Sequence, residues 1–100
     1  MHYLLIYDIA PDYVQRRGEY RNAHLERADA SVSRGELVLG GAVGEPPESA
    51  LLLFRCASPE TAEAFAKSDP YVLNGLVTAW RVRPWNTVVG PDAENPVRIS

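Results

Sequence analysis

Three stretches of the chain have the short, β-branched and aromatic character of strands, and each is apolar on both of its faces. In the first, Leu4 and Ile6 alternate with Tyr3, Leu5 and Tyr7. In another, Leu51 and Leu53 oppose Leu52, Phe54 and Cys56, and near the C-terminus Trp80 and Val82 oppose Val77, Ala79 and Trp85. An antiparallel sheet with one wet face reads apolar-in and polar-out. A sheet of these strands therefore asks for a cover on each side. The chain has 100 residues, enough for a single domain with one core.

The covers come from two helical segments. Pro11 and Asp12 follow the first strand and suit a helix start. From Asp12 to Ser33 the residues Val14, Gly18, Arg21, Leu25, Ala28 and Val32 fall on one stripe at helical spacing, and Arg34-Gly35 closes the segment. Leu37-Val38-Leu39, ending in Gly40-Gly41, reads as the second strand, and a turn over 44–49 leads to the third at Ala50–Cys56. Ser58-Pro59-Glu60 predicts a capped second helix with proline in its first turn, carrying Ala62, Phe65 and Ala66 inward. Ser68-Asp69-Pro70 ends it, and Tyr71–Gly75 gives one more turn. Leu76–Trp85 is the fourth strand.

The order β-α-β-β-α-β predicts an α+β fold, a ferredoxin-like sandwich with one four-stranded antiparallel sheet and both helices on one face. Two helices cover one face only, so the other predicts a homodimer through sheet-to-sheet packing. Residues 1–88 are expected to form the domain and 89–100 a flexible C-terminal tail without periodicity.

Composition narrows the function. Thirteen acidic residues against ten basic ones give a net charge of −3 without a basic stripe, which argues against a nucleic-acid partner. The apolar run Tyr3–Tyr7 is too short for a membrane span or a secretory signal, so a cytoplasmic protein is expected. Cys56 is the one cysteine, and together with only two histidines it leaves no expected metal site and no disulfide. The glycines at 40, 41 and 44 precede a strand rather than a helix, which disfavours phosphate binding, and no cofactor motif is present. His2 is expected to be an exposed strand start.

The candidate chemistry lies on the first helix. Arg17, Arg21 and His24 stand at i, i+4 and i+7 along one line of its surface. Neighbouring cations favour the neutral imidazole, which leaves a ring nitrogen able to accept a proton. Asp69, leaving the second helix, can approach His24 in the sandwich and fix its tautomer as a partner in general-base catalysis. The plainer alternatives are arginines paired with Glu19 or Glu26, a histidine finishing the edge of the core, and an aspartate serving only as a helix cap. Tyr7, Tyr71, Trp80 and Trp85 are either pocket walls or core.

Arg21-Asn22-Ala23-His24-Leu25, Arg34-Gly35-Glu36-Leu37 leading to Gly40-Gly41, and Ser68-Asp69-Pro70-Tyr71-Val72 with Gly75 together resemble the YciI-like (YCII-related) family over roughly residues 1–88. The resemblance implies a dimeric α+β barrel with a His–Asp dyad in a pocket, here His24 and Asp69. Arg21 matches a further family position, and Arg17, Tyr7, Tyr71 and Trp80 are expected around a small-molecule ligand. The convergence of a base, an orienting carboxylate and cations, with no cofactor motif, points to a small-molecule enzyme working by cofactor-free proton transfer, an elimination, isomerisation or similar on an aromatic or carboxylate substrate. The alternative is a non-catalytic dimeric ligand-binding or assembly module.

Overall fold

The computed structural model describes residues 1–98. Its elements are β1 (His2–Ile9), α1 (Tyr13–Ser33), β2 (Leu37–Val43), β3 (Ser49–Arg55), α2 (Glu60–Ser68), a single turn α3 (Pro70–Leu73) and β4 (Val77–Trp85). The strands form one antiparallel sheet in the order β2-β3-β1-β4. This is the expected α+β, ferredoxin-like arrangement, with α3 as the turn that breaks out of α2 at Pro70.

Cross-strand register sorts the side chains. Tyr3, Leu5 and Tyr7 of β1 sit opposite Phe54, Leu52 and Ala50 of β3, and all six are buried against the helices. Phe65 of α2 closes on this face, its ring 5.5 Å from that of Phe54 in an edge-to-face contact. Leu5 is fully buried at the centre, where truncation to alanine costs about 2–5 kcal/mol. The opposite face carries Leu4, Ile6 and Leu53, each half-buried, with Leu51, Leu39 and Val43 exposed. On β4 that face turns basic, with Arg83 opposite Leu4 and Arg81 opposite Ile6. A register shift between Asp8 and Ile9 returns Val77 to the core side, so Val77 does not share a face with the exposed Ala79 and Trp85.

Several local expectations need correction. The inward line of α1 is Tyr13, Arg17, Tyr20, His24, Arg27 and Ser31, not the stripe through Val14, Leu25 and Val32, which are exposed. The inward line is mostly polar or aromatic, and apolar periodicity therefore selected the neighbouring one. Strand β2 runs through both glycines to Val43. Pro59 is the N-cap of α2 rather than its first residue, and no side chain caps that end. Gly35 and Gly75, at φ 78° and 77°, take the left-handed turns that stop α1 and α3.

His2 is buried rather than exposed, because the segment after β4 folds back over it. The Thr87 hydroxyl accepts the Glu94 amide at 2.9 Å and lies 2.6 Å from His2 Nδ1. The other ring nitrogen, Nε2, lies 3.4 Å from the Glu94 carboxylate. Glu94 also accepts from Arg55 Nε at 3.0 Å, and the amides of Asn95 and Val97 bond back to Thr87 and Val88. The stretch expected to be loose thus packs across one end of the sheet as far as Val97; the expectation for Ile99 and Ser100 lies outside the described residues.

Candidate active site

The break between α2 and α3 places the Asp69 carboxylate under α1. Proline at the first position of α3 ends the preceding helix and leaves Asp69 extended, at φ −69° and ψ 125°. Asp69 is fully buried, and three donors surround it. Its Oδ1 accepts the amide N–H of Tyr71 at 3.0 Å and lies 2.8 Å from His24 Nδ1; its Oδ2 accepts the Tyr7 hydroxyl at 2.7 Å. The same oxygen therefore caps α3 and contacts His24.

A carboxylate only accepts, so Nδ1 of His24 carries the proton and donates to it. Nε2, on the other side of the ring, has no protein partner among the described residues. Tyr71 stacks on the imidazole with centroids 4.0 Å apart, and Phe65 meets it edge-on at 6.4 Å. Burial, with the Asp69 charge beside it, pushes the Tyr7 phenol far above the ordinary range and keeps it a donor. Burial likewise raises Tyr71.

His24 lies on the wall of a cavity of about 530 Å³ between α1 and β2. Arg17, Arg21, Tyr13, Tyr7 and Tyr71 share this end of it. Arg17 stands over the Tyr13 ring at 5.7 Å, and neither Arg17 nor Arg21 has an acidic partner among the described residues, so the pairing with Glu19 or Glu26 is not made. The cations that do pair nearby are others: Arg16 reaches Asp12 and the Asn74 carbonyl, and Arg27 bonds the Phe65 carbonyl and the Ser68 hydroxyl. Behind the dyad, Arg27 closes over the Phe65 ring at 4.8 Å.

Trp80 does not line this cavity. It sits opposite Tyr7 in the sheet and packs on the far side of the core, because β4 is the edge strand away from β2. Cys56 is half-buried with its thiol donating to the Ser58 carbonyl at 3.2 Å, and burial pushes that thiol up, away from nucleophile chemistry. Among the described residues no group of three His, Cys, Asp or Glu side chains is placed to hold a metal ion. Among the described residues no helix is long and apolar enough to cross a membrane.

Two features of the site escaped sequence reasoning. Tyr13 and the floor strand β2 carry no chemical signature, although glycines inside a strand signal a place where something approaches closely. Tyr7 was expected at the pocket, but its bond to Asp69 depends on strand register.

The class of site is a buried carboxylate in contact with a cavity histidine, carried on a ferredoxin-like sheet. The YCII-related domain family matches residues 1–86, and the chain belongs to that family. The fold is also that of 5-chloro-2-hydroxyhydroquinone dehydrochlorinase (TftG) from Burkholderia phenoliruptrix AC1100, solved in complex with 2,5-dihydroxybenzoquinone. The TM-score is 0.72 at 21% identity, over 87% of this chain and 95% of that one. No curated protein matches the chain.

Proposed function

We propose that the protein is a small-molecule enzyme in which His24 is the general base. Asp69 holds the imidazole in the tautomer that exposes Nε2, and Tyr7 and the Tyr71 amide hold Asp69. The base takes a proton from a carbon or hydroxyl made acidic by an adjoining oxygen. The negative charge that develops falls to Arg17 and Arg21, which stand on the same wall without acidic partners among the described residues. Elimination of HX or a proton shift both fit this set of groups, and all of them come from this chain. The observation that carries the reading is the 2.8 Å contact between His24 and Asp69 at the cavity wall.

We further read the active form as a homodimer, supported by the apolar half of the open sheet face around Ile6, Leu51 and Leu53. We place it in the cytoplasm, where a free thiol such as Cys56 is ordinary.

The structural neighbour supplies the probe. Incubation with 5-chloro-2-hydroxyhydroquinone should release chloride, and His24→Gln should lower that rate about a hundred- to ten-thousand-fold while the fold persists. If the wild-type protein binds 2,5-dihydroxybenzoquinone yet releases no chloride from the chlorinated compound and exchanges none of its protons, the dyad is not a catalyst for this class. The ligand-binding module then replaces the enzyme.

A further inference from the structure

The cavity is larger than a single ring requires, and its two ends differ. At about 530 Å³ it falls in the range that takes drug-sized ligands. Arg17, Arg21 and His24 occupy the N-terminal half of the α1 wall. Leu25, Ala28 and Val32 occupy the C-terminal half, facing Leu37 and Gly40 of β2 across the groove. Leu25 and Val32 are 43% and 52% exposed, apolar surface that the protein's own packing leaves unused.

Sheet register gives the groove a scale. Tyr7, Ala50 and Ala42 form one cross-strand row beneath the dyad, and Leu5, Leu52 and Gly40 form the next. Two residues along a strand separate the rows by about 7 Å. The floor of the near row is paved by alanines and the far row ends in glycine. Gly40 is not in a left-handed conformation. A Cβ placed there would meet its nearest neighbour, Leu52 Cγ, at 3.4 Å, an ordinary contact. Neither the backbone nor the packing demands glycine at this strand position, where it weakens the strand. What its smallness preserves is open track along the groove.

We infer that the substrate is an anion-headed molecule with an apolar arm, its head on Arg17 and Arg21, its reacting atom at His24, and its arm running over Gly40 between Leu25, Val32 and Leu37. This rests on the proton-transfer reading for the head and adds the arm. An arm must extend roughly five or six carbon–carbon bonds to cross Gly40, at about 1.5 Å per bond with the bends of the chain shortening its reach. Asp29 lines the same groove and disfavours a second carboxylate on the arm.

Unbranched carboxylates from butanoate to decanoate, titrated calorimetrically into the full-length protein below their micelle concentrations, test the inference. Kd should fall about fourfold per methylene for the longer members, and octanedioate should bind more weakly than octanoate. Gly40→Leu should leave butanoate unchanged and abolish the gain for the longer acids. Gly40→Ala, which fits the backbone, should reduce that gain in a protein whose folding is not in question. Arg21→Gln should weaken every member by the same factor and leave the length dependence intact. A wild-type Kd independent of chain length, or a length dependence unaltered in both Gly40 variants, overturns the arm while leaving the proton-transfer reading standing. A clear length dependence with no chloride release or proton exchange keeps the groove and removes the catalyst.

Discussion

Tyr71 lies flat on His24, with ring centroids 4.0 Å apart and planes 7° from parallel, while its own amide N–H donates to Asp69. One residue thereby positions both members of the dyad, the imidazole through its ring and the carboxylate through its backbone. The two contributions separate by mutation. Tyr71→Phe keeps ring and amide and should turn over at nearly the wild-type rate. Tyr71→Leu keeps only the amide; loss of the stack, worth about 0.5–1.5 kcal/mol, should lower kcat roughly two- to tenfold with a smaller change in KM. Steady-state kinetics on the chlorinated probe decide this, and equal rates in both variants refute the positioning role.

Asp69→Asn replaces the acceptor by a group that can also donate. The His24 proton is then no longer held on Nδ1, and the base is presented in the wrong tautomer for much of the time. Turnover should fall on the order of a hundredfold or more, with Tm affected far less than the rate. The ¹⁵N shifts of the His24 ring should move from the Nδ1–H pattern toward a mixture; an unchanged pattern means that Asp69 does not set the tautomer.

The Tyr7 phenol donates to Asp69 at 2.7 Å from a buried position, and its pKa is raised first by burial and then by the Asp69 charge. A raised pKa in the folded state means that folding favours the neutral phenol. The contribution is complete below the unfolded phenol range near pH 10 and is lost as pH rises through the folded value. Absorbance titration of the five tyrosines should leave Tyr7 un-ionised beyond the ordinary range, until alkaline unfolding exposes it. Tyr7→Phe should remove that resistant component and destabilise the protein by about 1–3 kcal/mol, because a buried carboxylate loses a donor.

At the other end of the sheet the sign is reversed. The Arg55 guanidinium bonded to Glu94 holds that carboxyl below its usual range. A lowered pKa favours the charged form in the folded state, so its contribution is present above the ordinary carboxylate range and is lost as pH falls through the lowered value. The segment after β4 should therefore come off His2 under acidic conditions before the sheet unfolds. Hydrogen exchange at the amides of Asn95 and Val97, which bond to Thr87 and Val88, should accelerate there. Glu94→Gln should bring the same acceleration at neutral pH, and exchange that ignores both changes would remove Glu94 as the latch.

The strands, the element order and the approach of Asp69 to His24 were legible because they follow from alternation, proline and topology. The helix face was not. Tyr13, Tyr20 and Ser31 point inward on α1 while Val14 and Val32 point out; the inner line also carries Arg17 and His24 of the site, and Val32 on the outer one borders the groove. Tyr7 as the partner of Asp69 was invisible for another reason: a hydroxyl bond across 62 residues depends on register and on the exact exit of α2. The docking of the last segment had no periodic signal, because hydrogen bonds and ion pairs to His2 and Arg55 need none.

The open sheet face supplies the last test. Ile6, Leu51 and Leu53 lie together on it, with Arg81 beside Ile6 held 3.6 Å from Asp8. In the proposed homodimer a two-fold partner would meet this patch with its own copy, so each substitution would act twice across the interface. Sedimentation at micromolar concentration should give twice the 11.1 kDa chain mass. Leu51 is 36% exposed within one chain, so Leu51→Lys should leave the fold and its circular dichroism intact while shifting sedimentation to a single chain, because it places two unpaired ammonium groups against an apolar patch. A compact monomer in the wild type would show that this face stays wet, and that the cavity between α1 and β2 is built without a second copy.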